Sequence, residues 1–167
     1  MKRSKPLQTE DQAYRYALWL LNRRAHSRGE MIGKLKRRDL PFELQGKVLA
    51  RLEAKRFIDD RQFTEIFIRS KRSQNWGPRK IELALLQKKV PRELVQRSLG
   101  TDFTRDQEKE QARELLSRQR ARFMGQKEKK PGDRKRRAFD FLARKGYSLE
   151  AARLAVLEIF RYNPELP

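Results

Sequence analysis

Cysteine is absent from this chain of 167 residues, and histidine occurs once. No disulfide, thiolate metal site or thiol nucleophile is therefore available. Imidazole general-base chemistry has His26 as its one candidate, and a lone His just before a helix start is expected to be a turn residue instead. Acid is scarce relative to base: 42 Lys+Arg stand against 22 Asp+Glu, a formal net charge of +20. Hydrophobic residues make up 37%, so the core must be thin and spread along the chain. No apolar run approaches the roughly 20 residues of a membrane-spanning helix. The basic start Met1-Lys2-Arg3-Ser4-Lys5-Pro6 leads into no signal-type apolar segment, so a cytoplasmic protein is expected.

The motifs of common catalytic sites are missing as well. There is no phosphate-binding Gly-x-x-x-x-Gly-Lys-Ser/Thr, no His-x-x-x-His and no Glu-x-x-His. Asp59-Asp60 resembles a metal-binding pair, but adjacent carboxylates before Phe63 read more simply as a helix start, where negative charge suits the dipole. The expectation is a protein with no catalytic, cofactor-binding or metal-binding residues.

What is present is a repeat. Leu35-Lys36-Arg37-Arg38-Asp39-Leu40-Pro41, Leu85-Leu86-Gln87-Lys88-Lys89-Val90-Pro91 and Leu142-Ala143-Arg144-Lys145-Gly146-Tyr147-Ser148 share a plan, with leading Leu residues 50 and 57 positions apart. Each ends an amphipathic run, crosses a basic corner, places an apolar residue and restarts at Pro or Ser. Met31, Ile81 and Ala138 stand four residues upstream, and Glu43, Glu93 and Glu150 follow the restart. The expected fold is all-α: three tandem three-helix repeats stacked into an elongated, curved molecule. The expected organisation is a basic tail 1–11, repeats at 12–58, 59–100 and 101–162, a basic loop at 124–133, and a tail 163–167. No strand is expected, because alternating apolar runs are missing and helix caps are frequent.

Caps and faces mark the individual helices. Thr9 to Gln12, Ser27 to Glu30 and Thr104 to Gln107 have the capping-box form. Pro41 and Pro78 suit the first helical position. The expected apolar faces are Tyr14, Ala17, Leu18 and Leu21; Met31 and Leu35; Leu44, Val48, Leu49 and Leu52; Phe63, Ile66, Phe67 and Ser70; Ile81, Leu85, Leu94 and Leu99; Ala112, Leu115, Leu116 and Phe123; then Ala138, Phe141, Leu142, Leu149, Ala152, Val156 and Ile159. Trp19, inside an apolar helix, is expected in the core. Trp76 has two readings: stacking on a base or an Arg, or packing the corner before Gly77-Pro78.

The basic clusters are the informative functional feature. Residues 23–38 hold seven basic residues against Glu30 alone, residues 69–80 hold five and no acid, and residues 118–137 hold ten against Glu128 and Asp133. Such a surface favours polyanions, because neutralising phosphates releases counterions.

The ordered motifs also resemble those of a known family. His26-Ser27-Arg28-Gly29-Glu30-Met31 followed by Lys34-Leu35 is similar to the opening repeat of the RecX family. Asp59-Asp60-Arg61-Gln62-Phe63, then Arg69-x-x-Arg72, Gly77-Pro78-x-x-Ile81 and Leu85-x-x-Lys88, resemble its second repeat, and Phe141-Leu142-Ala143-Arg144-Lys145-Gly146-Tyr147 its third. The resemblance covers residues 12–160. Ala84 stands where that family often has Glu, and Asp39 and Lys89 where Gly is usual, so those two corners are expected to close differently.

The resemblance implies a regulator of the RecA recombinase that lodges in the groove of the RecA–DNA filament. It would modulate, by expectation inhibit, ATP hydrolysis, strand exchange and coprotease activity. The residues expected to contact DNA phosphates or RecA are Arg24, Arg28, Lys34, Arg37, Arg38, Arg69, Lys71, Arg72, Arg79, Lys80, Lys88, Arg134, Lys135, Arg144 and Lys145. Single- or double-stranded DNA and the RecA filament are the expected partners, with no membrane, and a monomer is expected. The alternatives are a general DNA-binding helical protein acting without RecA, and an enzyme acting on nucleic acid.

Overall fold

A computed structural model describes residues 6–124 and 131–161, and every regular element among them is helical. In order these are α1 (Glu10–Arg23), α2 (Arg28–Lys36), α3 (Phe42–Ala54), α4 (Asp60–Ser73), α5 (Pro78–Gln87), α6 (Arg92–Asp102), α7 (Arg105–Arg118), α8 (Arg120–Met124), α9 (Pro131–Lys145) and α10 (Leu149–Arg161). The short α8 adds a single extra turn to the plan of three helices per repeat. Of the loop expected at 124–133, residues 125–130 lie outside the described residues. Met124 closes α8, and Pro131 opens α9, in keeping with the preset φ that suits Pro to a first helical turn.

The starts of the helices follow the capping chemistry. Ser27 accepts from the Glu30 N–H (3.0 Å) and Glu30 returns a bond to the Ser27 N–H (3.3 Å). Thr104 and Gln107 do the same at α7. At α1 Thr9 accepts from the Gln12 N–H, but the Gln12 side chain reaches back one residue further, to the Gln8 N–H. Pro41 stands one residue earlier than expected: it precedes α3 with extended ψ 143°, and its carbonyl accepts from Gln45. Pro91 and Ser148 open α6 and α10 with the same carbonyl bond, to Val95 and Ala152.

The ends of the helices share a motif more uniform than the sequence. At α2 the Leu40 N–H donates to Leu35 O and the Asp39 N–H to Lys36 O; at α5 Val90 donates to Leu85 and Lys89 to Leu86; at α9 Tyr147 donates to Leu142 and Gly146 to Ala143. This is the Schellman pattern, with the penultimate residue left-handed. Asp39 (φ 54°), Lys89 (φ 60°) and Gly146 (φ 92°) all adopt it. The corners at Asp39 and Lys89 therefore do not close differently for lack of Gly. The apolar residue that follows, Leu40, Val90 or Tyr147, is at most 3% exposed. Burying such a side chain, at roughly 1.5–3 kcal/mol, offsets a left-handed penalty of roughly 1–2 kcal/mol. Arg56 and Asn75 end α3 and α4 the same way.

The chain divides into two compact units, residues up to 67 with 85–95, and residues 68–84 with those from 96 onward. In the first, Leu7, Ala13, Tyr14, Ala17, Leu20, Met31, Leu35, Leu40, Val48, Leu49, Leu52 and Ile58 form the core. In the second, Ala112, Leu115, Leu116, Phe123, Ala138, Leu142, Tyr147, Ala151, Ala152, Ala155 and Val156 do so.

Three expected faces are rotated. Trp19 is not core but 54% exposed, because α1 buries Ala13, Tyr14, Ala17 and Leu20 and turns the Tyr16–Trp19–Arg23 row outward. On α4 Thr64 and Ile68 are buried, while Ile66 and Ser70 are exposed; the Thr64 hydroxyl donates to Asp60 O (2.6 Å), which offsets the cost of its burial. Leu149, 57% exposed, opens α10 on its solvent side.

Each unit contains one end-to-end helix contact. In the first, the Ser27 hydroxyl at the start of α2 donates to Lys88 O at the end of α5, and a Cβ at Gly29 would overlap Lys89. In the second, the start of α5 meets the end of α9: the Gly77 N–H donates to Lys145 O (2.7 Å) and the Arg79 N–H to Gly146 O (3.0 Å). A Cβ at Gly77 would overlap the Gly146 carbonyl carbon and the Tyr147 nitrogen. A cap hydroxyl in the first contact and backbone N–H groups in the second thus meet C=O groups at a helix end, and the positive end of one helix dipole meets the negative end of another.

Ion pairs surround the first contact. Glu30 receives Arg24 (3.0 Å) and Lys88 (3.3 Å). Burial works against its charge, but hydrogen bonds from Arg24 and Ser27 and the Lys88 charge more than offset this and hold its carboxyl down to about 2. Asp60 accepts from the Arg28 N–H (2.7 Å), and burial pushes its carboxyl up. Asp59 caps α4 through the Gln62 N–H (3.0 Å), so the acidic pair is a helix start. His26 is buried, its Nδ1–H donating to Arg24 O (2.9 Å), with burial and then the Arg24 charge lowering its pKa.

Three outcomes follow from these contacts. Gly77→Ala should destabilise by about 1–3 kcal/mol through backbone overlap, read from a urea unfolding midpoint. Asp39→Gly should stabilise by up to about 1 kcal/mol, since Asp39 is left-handed and its side chain is not buried. Glu30, depressed from 4.5 to about 2, contributes stability that is present above pH 4.5 and lost as pH falls towards 2. Glu30→Gln should flatten that part of the stability–pH curve; an unchanged acid limb would show that the Glu30 pairs contribute nothing.

Candidate nucleic-acid interface

The basic residues expected to act on a partner fall into different physical situations. In the first unit several are already engaged. Arg24 is bidentate on Glu30, Arg28 Nε donates to Glu53 (2.7 Å), and Lys88 pairs with Glu30 and lies 5.5 Å from the Phe67 ring. Glu30 brings together Arg24 and Lys88, which are distant in sequence, and no local pattern announces this. Arg38 sits over the Tyr16 ring at 4.6 Å. Lys34 is half-buried and Arg37 exposed.

The second unit gathers its basic residues around the α4–α5 corner. Trp76 follows left-handed Asn75, and its N–H donates to Lys71 O (3.0 Å). Its ring has Lys80 Nζ at 4.4 Å and Lys71 Nζ at 5.1 Å, a cation–π arrangement on a partly exposed aromatic. Arg79 is exposed, and Arg144 and Lys145 lie at the end of α9 that receives the start of α5. Arg134 and Lys135 are on α9, the first half-buried and the second exposed.

On the other side of α4, Arg69, Arg72, Ser73 and Asn75 share a cleft of about 370 Å³ with Gln111, Glu114, Arg118 and Tyr147 of the same unit. Arg72 is the structural member: it donates to Asp102 O (2.9 Å) and stacks on Phe103 at 5.1 Å. Arg69 is exposed. Arg118 reaches Asn75 (3.3 Å) and Glu114 (3.9 Å). Burial, reinforced by Glu108, pushes the Tyr147 hydroxyl up to about 12, so it stays protonated at neutral pH. The sequence does not single out Arg118. Its basic cluster is legible there, but its apposition to Asn75, 43 positions away, is not.

Among the described residues no group of three or more acidic or imidazole side chains could hold a metal ion. No helix among them is long and apolar enough to cross a membrane. What the surface offers chemically is cationic donors and flanked aromatic rings.

Comparison with known proteins matches this architecture. Residues 13–52 match the family model of the RecX first three-helix domain, and residues 59–99 that of the second. A regulatory protein RecX from Mycobacterium sp. (strain KMS) is 35% identical over 148 residues, 86% of this chain and 79% of that protein. One from Thermus thermophilus is also 35% identical over 86% of this chain, with 92% of its own length covered. The crystal structure of RecX from Lactobacillus salivarius superposes with a TM-score of 0.78 at 19% identity, over 92% of this chain and 97% of that one. These matches span the helical domains just described, and by them the chain belongs to the RecX family of regulatory proteins.

Proposed function

We propose that this protein binds the RecA–DNA filament and restrains RecA ATP hydrolysis, strand exchange and coprotease activity, as a cytoplasmic monomer with no catalytic chemistry of its own. The observation that carries the reading is the basic corner between α4 and α5, whose run of residues 69–80 contains no acid. There Arg79 is exposed while Lys71 and Lys80 flank Trp76, and Arg69 is exposed on the other side of α4. Membership in a family of regulatory proteins supports it. A partner rich in phosphate suits such a corner, because each neutralised phosphate releases counterions.

Arg24, Arg28, Arg72 and Lys88 act in this reading chiefly by holding the helix ends, since each is bonded within its own unit. Arg69, Arg79 and Arg144, all exposed in the second unit, are in this reading the residues that meet the partner. The test is RecA ATPase and strand exchange on single-stranded DNA with substoichiometric protein added. Both rates should fall. The double variant Arg69→Glu/Arg79→Glu should need roughly tenfold more protein for the same effect, with an unchanged melting temperature. An unaltered ATPase with binding verified would refute the reading. Tight, steeply salt-dependent binding to naked DNA without any effect on RecA would favour a general DNA-binding protein instead.

A further inference from the structure

Three side chains of α1, joined by Arg38 from just beyond the end of α2, form an ordered row within the first unit. The Arg38 guanidinium lies 4.6 Å from the Tyr16 ring centroid. Tyr16 and Trp19 stack with centroids 6.1 Å apart and planes 18° from parallel. The Arg23 guanidinium lies 5.2 Å from the Trp19 ring. Two aromatic rings are thus bracketed by two cations, and the larger ring is 54% exposed.

Tyr16 packs against the core of the first unit, but folding does not account for the exposed Trp19. A pair of side chains three positions apart on a helix contributes roughly 0.2–0.5 kcal/mol. Leaving a tryptophan half in water forgoes more than that in hydrophobic burial, at roughly 25 cal/mol per Å². Nor is Arg23 engaged in neutralising acid. From Gln12 to Gly29 the chain has no carboxylate. Glu10 and Asp11 in the first turn of α1 face Arg51 (3.6 and 3.0 Å), and Glu30 is taken by Arg24 and Lys88.

We propose that the Arg38–Tyr16–Trp19–Arg23 row is a stacking site for single-stranded nucleic acid. The half-exposed indole suits an unpaired base, and the two arginines suit the neighbouring phosphates. A duplex does not fit this chemistry, because its bases are already stacked on one another. The proposal deepens the filament reading, on which it rests for the presence of DNA, by naming the form of nucleic acid contacted and residues of the first unit that contact it.

The test uses the full chain without recombinase. Binding is followed by the anisotropy of a labelled oligothymidylate and of a duplex with the same number of phosphates, at one moderate salt concentration. Trp19→Ala should weaken single-strand binding about tenfold, within the roughly 5- to 150-fold range of one stacked base, and leave duplex binding within about twofold. Trp19→Phe should retain most single-strand affinity. Indole emission should be quenched on single-strand binding, and most of that quench should vanish in Trp19→Phe. Equal loss on both nucleic acids, or no loss, overturns the stacking site. So does a loss confined to assays that contain recombinase, which would make the row a protein contact. Absent single-strand binding overturns it too, while the filament reading stands or falls separately on the ATPase assay. Because Trp19 is exposed, the melting temperature of each variant should match the parent, and an early melt of Trp19→Phe as well as Trp19→Ala would make the row structural.

Discussion

Two helix starts are pressed against two helix ends, and the closeness of that approach constrains much of the rest. The first turn of α2 meets the end of α5 through Ser27 and Gly29, and the first turn of α5 meets the end of α9 through Gly77. In both places backbone donors or a cap hydroxyl take up carbonyls that a helix end leaves free. The contact tolerates a side chain on only one of the two surfaces. Where the corner carries a Cβ, at Lys89, the facing residue is Gly29; at the other contact both Gly77 and Gly146 lack one. Gly29 thus leaves room for the Cβ of Lys89 at the end of α5.

Several acidic residues of the first unit are committed to contacts near helix ends. Glu30 holds Arg24 and Lys88, Glu53 holds Arg28, Glu10 and Asp11 hold Arg51, and Asp60 holds the first N–H of α2. Most of these pairs are half-exposed, and such pairs contribute about 0–1 kcal/mol each. Their larger consequence is distribution. With 22 acids against 42 bases, placing acids at the helix ends leaves other faces rich in cations. The α1 row and the α4–α5 corner are both such faces.

Much of this is legible in the sequence, and the failures have identifiable causes. Capping boxes at Ser27 and Thr104 and the corner pattern at Leu35, Leu85 and Leu142 are local, and each produces the element expected of it. Trp19, Ile66 and Leu149 are misplaced by sequence reasoning because their helices carry apolar residues on more than one side, so periodicity admits a rotated stripe. Thr64 escapes notice for the opposite reason: its buried hydroxyl is satisfied within its own helix, while a pattern counts it as polar. Basic residues are legible as clusters but not as individuals. Whether an arginine is exposed, like Arg69, or bound, like Arg28 on Glu53 25 positions away, depends on contacts between distant segments.

The backbone supports the corner reading of Trp76. Asn75 is left-handed and the Trp76 N–H returns to Lys71 O, so the tryptophan occupies the position that Leu40, Val90 and Tyr147 fill at their own corners. Those three are buried, whereas Trp76 stays partly exposed between Lys71 and Lys80. The backbone motif fixes where the indole sits, and the two ammonium groups restrict how it turns. A residue ordered by the fold loses little further freedom when a partner arrives, and that small loss is a large part of what distinguishes a binding contact from an incidental one. A corner that ends a helix thereby also presents an aromatic ring among cations.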